Sequence, residues 1–551
     1  MSSSASHRSE SAAPEDGDPH EAFVSIRNAF ARVILALILI VLALFLAVTR
    51  YLHYCTIQLP AGTTVVDSKA VPRRAPLAET VYNSYLRYLP GLESYLDYRH
   101  YAVPEGATGI DVEAFRSVNQ EIRSVRIPGS VKKIGYGAFE GCDNLTKVVI
   151  RDGVETIWDS AFGRCGSLTK IVIPGSVKTI GQNAFEYCMN LTNVVIRDGV
   201  ETIGSRAFLE CANLSGIDIP DSVIEIGDYA FAVCPKLSSV TLGRGVKRIG
   251  KGAFFGTDCR ISVPDDHPAF RLVDGLLYSK DLSTLVLCAS NPDGPVVVAP
   301  EVTEIAAYAF SDRTGLTDIR LPESLDIIQD HAFSGCTGLK EITLPPHVTE
   351  VGQEAFSGCS GLKRIALPES LKTIPVGMFH SCSELEEIVI PESVTTIENA
   401  AFIRCTNLKR VTLPGSLKTI PPAMFMNCKA LEEFVIPESV TTIGYSAFYG
   451  CTNLKRVTLP GSLKTIPPAM FMHCKALEEF VIPEGVTKID DDAFYGCSNL
   501  KRVTLPDSLE DIGNGVFTGC DSLDQDTLKL PPKLKDKPVS DLFLDKRPSI
   551  R

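Results

Sequence analysis

The sequence lacks most of what chemistry requires. No C-x-x-C pair, P-loop, G-x-S-x-G or H-E-x-x-H motif occurs in it. Those absences remove the common signatures of redox pairs, phosphate cradles, hydrolase nucleophiles and zinc proteases. The nine histidines are scattered, whereas metal sites gather ligands at close spacing. There is no basic excess either. With 54 Lys and Arg against 66 Asp and Glu, the net charge is −12, so nothing resembles the basic stripe of a nucleic-acid binder. Seventeen cysteines in 551 residues fall well below the density of a disulfide scaffold. No catalytic residue, cofactor or metal is expected, and nucleic acid is excluded as a partner.

One long apolar run is present. Val33 to Val48 reads VILALILIVLALFLAV between Arg32 and Arg50. A spanning helix needs about 20 residues, with a lower limit near 17. Thr49 and two snorkelling arginines bring this run into range. A cleaved signal peptide is the rival reading, but 32 residues precede the run and TRYLHYC follows it without a small-x-small site. The expectation is a retained single-pass anchor at 33–49. Arg27 and Arg32 on one side face Arg50 and Lys69 on the other, so the positive-inside rule barely decides orientation. The default places a short tail inside and the long remainder outside or in a lumen.

Composition divides the rest. Residues 1–32 form a polar tail expected to be disordered, and 50–75 a stalk. A tyrosine-dense stretch within 76–116, AETVYNSYLRYLPGLESYLDYRHYAV, places Tyr82, Tyr85, Tyr88 and Leu89 on one helical stripe, predicting a helical cap. Beyond it, phenylalanine keeps time. Phe139 to Phe254, and then Phe310 to Phe517, recur every 23 residues for sixteen units. The typical unit is L-x-x-V-x-L-P-x-S-L-x-x-I-x-x-x-A-F-x-x-C-x-x. Its L-x-x-V-x-L part alternates like a short strand that proline ends. The A-F-x-x-C part predicts a brief helical or 3₁₀ return. One unit cannot bury its own apolar side, so the units must stack.

The spacing Leu408-x-x-Val411-x-Leu413, with Ile420 and the Phe425-x-x-Cys428 turn, resembles the Treponema pallidum (BspA-like) type of leucine-rich repeat. The resemblance implies an α/β solenoid with parallel strands on its concave face. It would occupy 117–258 and 296–530, with a hairpin insertion at 259–295 turning at Asp274-Gly275 and a tail at 531–551. It also implies a surface-attached protein that binds other macromolecules. Fold alone does not assign that function.

Fourteen cysteines sit in the repeat, Cys142 to Cys234 and Cys336 to Cys520. A parallel row offers no converging ligand set, and free cysteine is a good buried filler. Buried, reduced thiols are expected; Cys55, Cys259 and Cys288, outside the row, are the better candidates for pairing or modification. GKGAFFG at Gly250 is too long by one residue for a dinucleotide fingerprint and recurs in phase. Asp490-Asp491-Asp492 precedes a turn and is read as capping it rather than binding Ca²⁺. Asn144, Asn190 and Asn213 open sequons that the repeat itself regenerates.

Residues 408–453 and 454–499 differ at only seven of 46 positions. Down this copied stretch the outward positions alternate in sign: Glu387, Arg410, Glu433, Arg456, Glu479, Arg502, beside Glu386, Lys409, Glu432, Lys455, Glu478, Lys501. At a strand spacing of about 4.8 Å each charge is expected to meet opposite charges above and below, giving a self-cancelling face. The earlier units place Arg126, Lys147, Val149, Lys170, Val172, Asn193 and Val195 outward, cations without acidic partners beside an apolar row. This is the expected contact surface. The leading function is a membrane-anchored module binding a protein or glycan; a cytosol-facing tethered scaffold is the alternative.

Overall fold

The computed structural model describes residues 56–58, 64–67, 100–535 and 537–544. Two units are distinguished. In the first, comprising residues 1–59 and 72–102, Thr56–Gln58 pairs in parallel with His100–Ala102. The second, comprising 60–71 and 103–551, contains the repeats. The apolar run at 33–49 and the tyrosines at 82–88 lie outside the described residues, among which no helix is long and apolar enough to cross a membrane.

Each coil of the array contributes to three parallel ladders. The first is built from strands such as Lys147–Ile150, Lys170–Ile173 and Asn193–Ile196, whose residues alternate between exposed and buried as a period of two requires. The second uses two-residue strands such as Thr179–Ile180, of which eighteen are described. The third is the A-F-x-x-C segment. It was expected to be helical, and the described residues contain no α-helix at all, so the fold is a β-solenoid rather than α/β. The reason is backbone geometry. Residues two before and two after each phenylalanine have positive φ: Ser160 (54°) and Arg164 (59°) flank Phe162, and Tyr229 (56°) and Val233 (54°) flank Phe231. Left-handed residues four apart cannot belong to one right-handed helix. Instead the segment bonds to the next coil: Ser160 N–H to Gln182 O (2.8 Å), Phe162 to Ala184 (2.8 Å), Arg164 to Glu186 (2.7 Å).

Packing follows from this register. The phenylalanine rings stack at 4.4–5.6 Å from Phe115 to Phe254 and at 5.1–6.1 Å from Phe310 to Phe517. Phe115 belongs to a coil ahead of residue 117, where the array was expected to start. Thirteen cysteines, from Cys165 on, lie behind the rings and donate their thiols at 3.0–3.3 Å to the phenylalanine carbonyl 26 residues back. At the far end Phe543 covers Phe517, with ring centroids 5.8 Å apart.

The 46-residue period has a structural cause. In most coils the residue after the short strand donates its N–H back one coil, as Gly444 does to Ile420 O (2.8 Å) and Asp490 to Ile466 O (2.9 Å). Pro375, Pro421 and Pro467 occupy that position in alternate coils and have no N–H to give. The short-strand ladder breaks at each of them. The longer strands pair two by two on the opposite alternation, Glu387–Val389 with Arg410–Thr412 and Glu433–Val435 with Arg456–Thr458. From the coil of Phe356 to that of Phe494, successive coils are therefore joined alternately by one strand ladder and the other, while the phenylalanine turns bond at every step of this stretch.

The insertion is a three-stranded antiparallel meander, Phe270–Val273, Leu276–Ser279 and Thr284–Cys288. Its turn at Asp274-Gly275 has positive φ at both residues (48° and 79°), as a two-residue hairpin demands. The last strand then pairs in parallel with Glu304–Ile305 and restarts the array. Buried His267 anchors the segment: its Nδ1 accepts from the N–H groups of Ala269 (3.2 Å) and Phe270 (3.1 Å), and its Nε2 donates to Gly243 O (3.0 Å).

Candidate functional site

The seven residues read as a contact surface share the longer-strand face of the early coils. Strand alternation puts them there: Val125, Val148, Ile171 and Val194 point inward and are buried, so their neighbours point outward. Register sets them in rows. Arg126 lies opposite Val149, Lys170 opposite Asn193, and Val172 opposite Val195. Val172 and Val195 are 42% and 43% exposed, and Val149 is half-buried.

Charge separates this face from its surroundings. Lys132 and Lys178, on the short-strand side of the same coils, pair with Glu155 (3.0 Å) and Glu201 (2.8 Å). Arg126, Lys147 and Lys170 are exposed and, among the described residues, have no carboxylate partner. In the copied coils every outward cation is paired: Lys409–Glu386 (3.3 Å), Arg410–Glu387 (2.6 Å), Lys455–Glu432 (2.8 Å), Arg456–Glu433 (3.5 Å), Lys501–Glu478 (2.8 Å) and Arg502–Glu479 (3.2 Å). The hydrogen-bonded lysine partners hold the Glu432 and Glu478 carboxyls below their usual range.

Two expectations about these faces need correction. The pairs run one way only, each glutamate reaching the next coil and not the previous one. They coincide with the strand pairs just described, so the charges cancel within two-coil blocks. Nor is exposed valine special to the early coils: Val389, Val435 and Val481 are 66–71% exposed. Each of those lies opposite a threonine, as Val435 lies opposite Thr458, whereas Val172 and Val195 adjoin each other. Unpaired cation beside contiguous valine is what distinguishes the early face.

The other candidate residues are accounted for by the fold. Of the three cysteines read as better candidates for pairing or modification, Cys259 and Cys288 are buried and unbridged, and Cys55 lies outside the described residues. Burial pushes the thiols of Cys382, Cys405 and Cys428 up, and that of Cys451 to about 12, so thiolate is suppressed there. The glycines of GKGAFFG supply the two positive-φ positions, Gly252 (57°) and Gly256 (67°). Asp491 accepts the N–H of Asn514 at 2.7 Å, capping the next coil instead of its own turn, and the described residues hold no metal-ligand cluster. Asn144, Asn190 and Asn213 donate their amides to carbonyls of the preceding coil at 2.7–2.8 Å.

Sequence reasoning missed one residue of consequence. Arg313 takes the cysteine position of its unit, three after Phe310, and is buried. It donates Nε and Nη2 to Cys288 O (3.2 and 3.0 Å) and Nη1 to Thr257 O (2.9 Å), stapling the insertion between the two arrays. The signal was an arginine where the column calls for a thiol.

Comparison with known proteins agrees with this architecture. A leucine-rich repeat protein from Eubacterium ventriosum is similar over 61% of this chain and 85% of its own, at 27% identity and a TM-score of 0.52. A leucine rich cell surface protein from Faecalibacterium prausnitzii is 25% identical over 65% of this chain and 86% of its own, with a TM-score of 0.41. The Treponema pallidum leucine-rich repeat protein covers 46% of this chain and 87% of its own at 24% identity and a TM-score of 0.25. No curated protein matches the sequence. The profile of the BspA type leucine rich repeat region matches residues 97–214, 155–264, 303–432 and 418–536. The chain belongs to the BspA-type leucine-rich repeat family.

Proposed function

We propose that this protein is a membrane-tethered binding module, held by the apolar run at 33–49, that captures an acidic protein or glycan on the longer-strand face of its early coils. The observation that carries the reading is the contrast in charge pairing. Arg126, Lys147 and Lys170 are exposed without acidic partners, beside Val149, Val172 and Val195 and the polar Asn193. A ligand's carboxylate or sulfate gains steering from the cations, and its apolar surface gains desolvation against the valines. On the copied coils a ligand would first have to displace an existing ion pair. Those coils then serve as a spacer.

The test is binding of the full chain to an array of glycans and acidic proteins, compared with Lys147→Glu/Lys170→Glu and with a chain lacking residues 408–499, four whole units. The double charge reversal is expected to weaken binding at least tenfold and the deletion to leave it intact. Binding lost in the deletion and kept in the charge reversal would place the contact face at the other end. Tethering is tested separately: N-terminal sequencing of the mature chain should find residues before Val33, and protease protection in sealed membranes reports which side carries the repeats.

A further inference from the structure

The turn ladder bonds every successive pair of coils except one. Before the insertion, Tyr229, Phe231 and Val233 donate their N–H groups to Lys251 O (2.9 Å), Ala253 O (2.8 Å) and Phe255 O (2.6 Å). After it, Tyr308, Phe310 and Asp312 donate to Asp330 O (3.1 Å), Ala332 O (2.7 Å) and Ser334 O (2.7 Å). The corresponding groups of Gly252 and Phe254, which the period aims at the next coil, have no acceptor among the described residues. The insertion's last strand has taken that place, with Cys288 N–H bonded to Ala309 O at 2.7 Å.

A cavity of about 100 Å³ lies at this break. Gly252, Phe254, Tyr308 and Arg313 all line it, with apolar walls from Val286 and Leu287. Arg313 has five N–H donors, and three are used on carbonyls. The other two have no oxygen acceptor, only the Cys288 thiol beside the guanidinium, and no carboxylate is ion-paired with it among the described residues. A buried cation without a counter-charge is costly, and unpaired backbone N–H groups add to that cost.

We propose that the joint between the two arrays is a binding site for a small monoanion, a halide or a short carboxylate, held by the free N–H groups of Arg313 and the backbone N–H groups of Gly252 and Phe254. Arg313 and the two backbone groups offer protons there, and the volume admits a halide, formate or acetate. The bound anion would neutralise Arg313 and stand in for the ladder bonds lost at the insertion. Its binding would therefore strengthen the one joint where the turns do not zip.

Crystals of the full chain grown without halide and soaked in sodium bromide should show an anomalous peak in this cavity beside Arg313. A parallel soak in sodium acetate should show planar density there and establishes whether carboxylates share the seat. In solution, bromide should raise Tm saturably at constant ionic strength. Arg313→Gln should abolish both the peak and the rise, and Arg313→Lys should weaken the response at least tenfold. Should Arg313→Gln fail to fold, the wild-type soaks decide alone. Only water in the cavity in both soaks would overturn the proposal, as would a bromide seat that persists unchanged in Arg313→Gln.

Discussion

Truncating one ring of the phenylalanine stack should cost far more than truncating the thiol behind it. Phe448 is fully buried, lies 5.5 Å from Phe425 and 5.7 Å from Phe471, and meets Phe434 edge-on at 5.2 Å. Phe448→Ala loses the transfer energy of the ring and opens a cavity that a hydrogen-bonded backbone on both sides prevents from collapsing, about 3–5 kcal/mol in all. Cys451→Ala removes one buried sulfur and its bond to Phe425 O (3.1 Å). That carbonyl keeps the N–H of Cys428, also at 3.1 Å, so nothing is orphaned and the loss is roughly 1–2 kcal/mol. In a solenoid each coil touches only its neighbours, so the damage should stay local. Urea unfolding with hydrogen exchange should show lowered protection in the coils of Phe425, Phe448 and Phe471, with coils near Phe162 unchanged. If Cys451→Ala were as costly as Phe448→Ala, the row of thiols would carry the stability assigned here to the rings.

Asp490→Pro should sever the bond to Ile466 O at a step where the longer strands are also unpaired, costing about 1–3 kcal/mol, whereas Pro421→Ala, which restores an N–H at the equivalent position, should cost less; chemical denaturation of the two variants distinguishes these. Burial raises the thiols of Cys405, Cys428 and Cys451, so the folded chain binds protons that the unfolded chain releases: their stabilisation is complete below about pH 9 and should fade as pH rises toward the value of about 12 at Cys451. An alkaline Tm series, with maleimide reactivity appearing only on unfolding, checks it. Asp281 accepts from the Ser279 hydroxyl (2.6 Å) and from Ser283 N–H and Oγ (3.1 and 2.8 Å), which lower its carboxyl to about 2. The hairpin tip should therefore hold above about pH 4 and loosen as pH falls through about 2, a transition that NMR should find missing in Asp281→Ala.

Which features were legible in the sequence follows from how far the residues repeat. The phenylalanine and cysteine columns are nearly invariant along the chain, so stacking, thiol burial and the break at the insertion could all be read. Phe115 escaped because it lies 24 rather than 23 residues before Phe139 and has Val118 where a thiol belongs. The left-handed positions escaped because the backbone ladder forces φ there whatever the side chain, and residues as different as Tyr187, Glu210 and Val233 occupy them. Only the glycines of the same columns, such as Gly137, Gly335 and Gly450, betray the constraint. The alternating joints were visible in Pro421 and Pro467 but required knowing which N–H each proline deletes. Pairing of charges was foreseen; its one-way direction depends on the two-by-two strand pairing, which side-chain periodicity does not reveal.

The central claim is that the early longer-strand face receives the ligand. Hydrogen–deuterium exchange of the full chain, free and bound to whatever acidic protein or glycan the array identifies, tests it most directly. Protection should appear at Lys147–Ile150, Lys170–Ile173 and Asn193–Ile196, with Glu433–Val435 and Arg456–Thr458 unaltered. Protection confined to the copied coils, with the early strands unchanged, would contradict it.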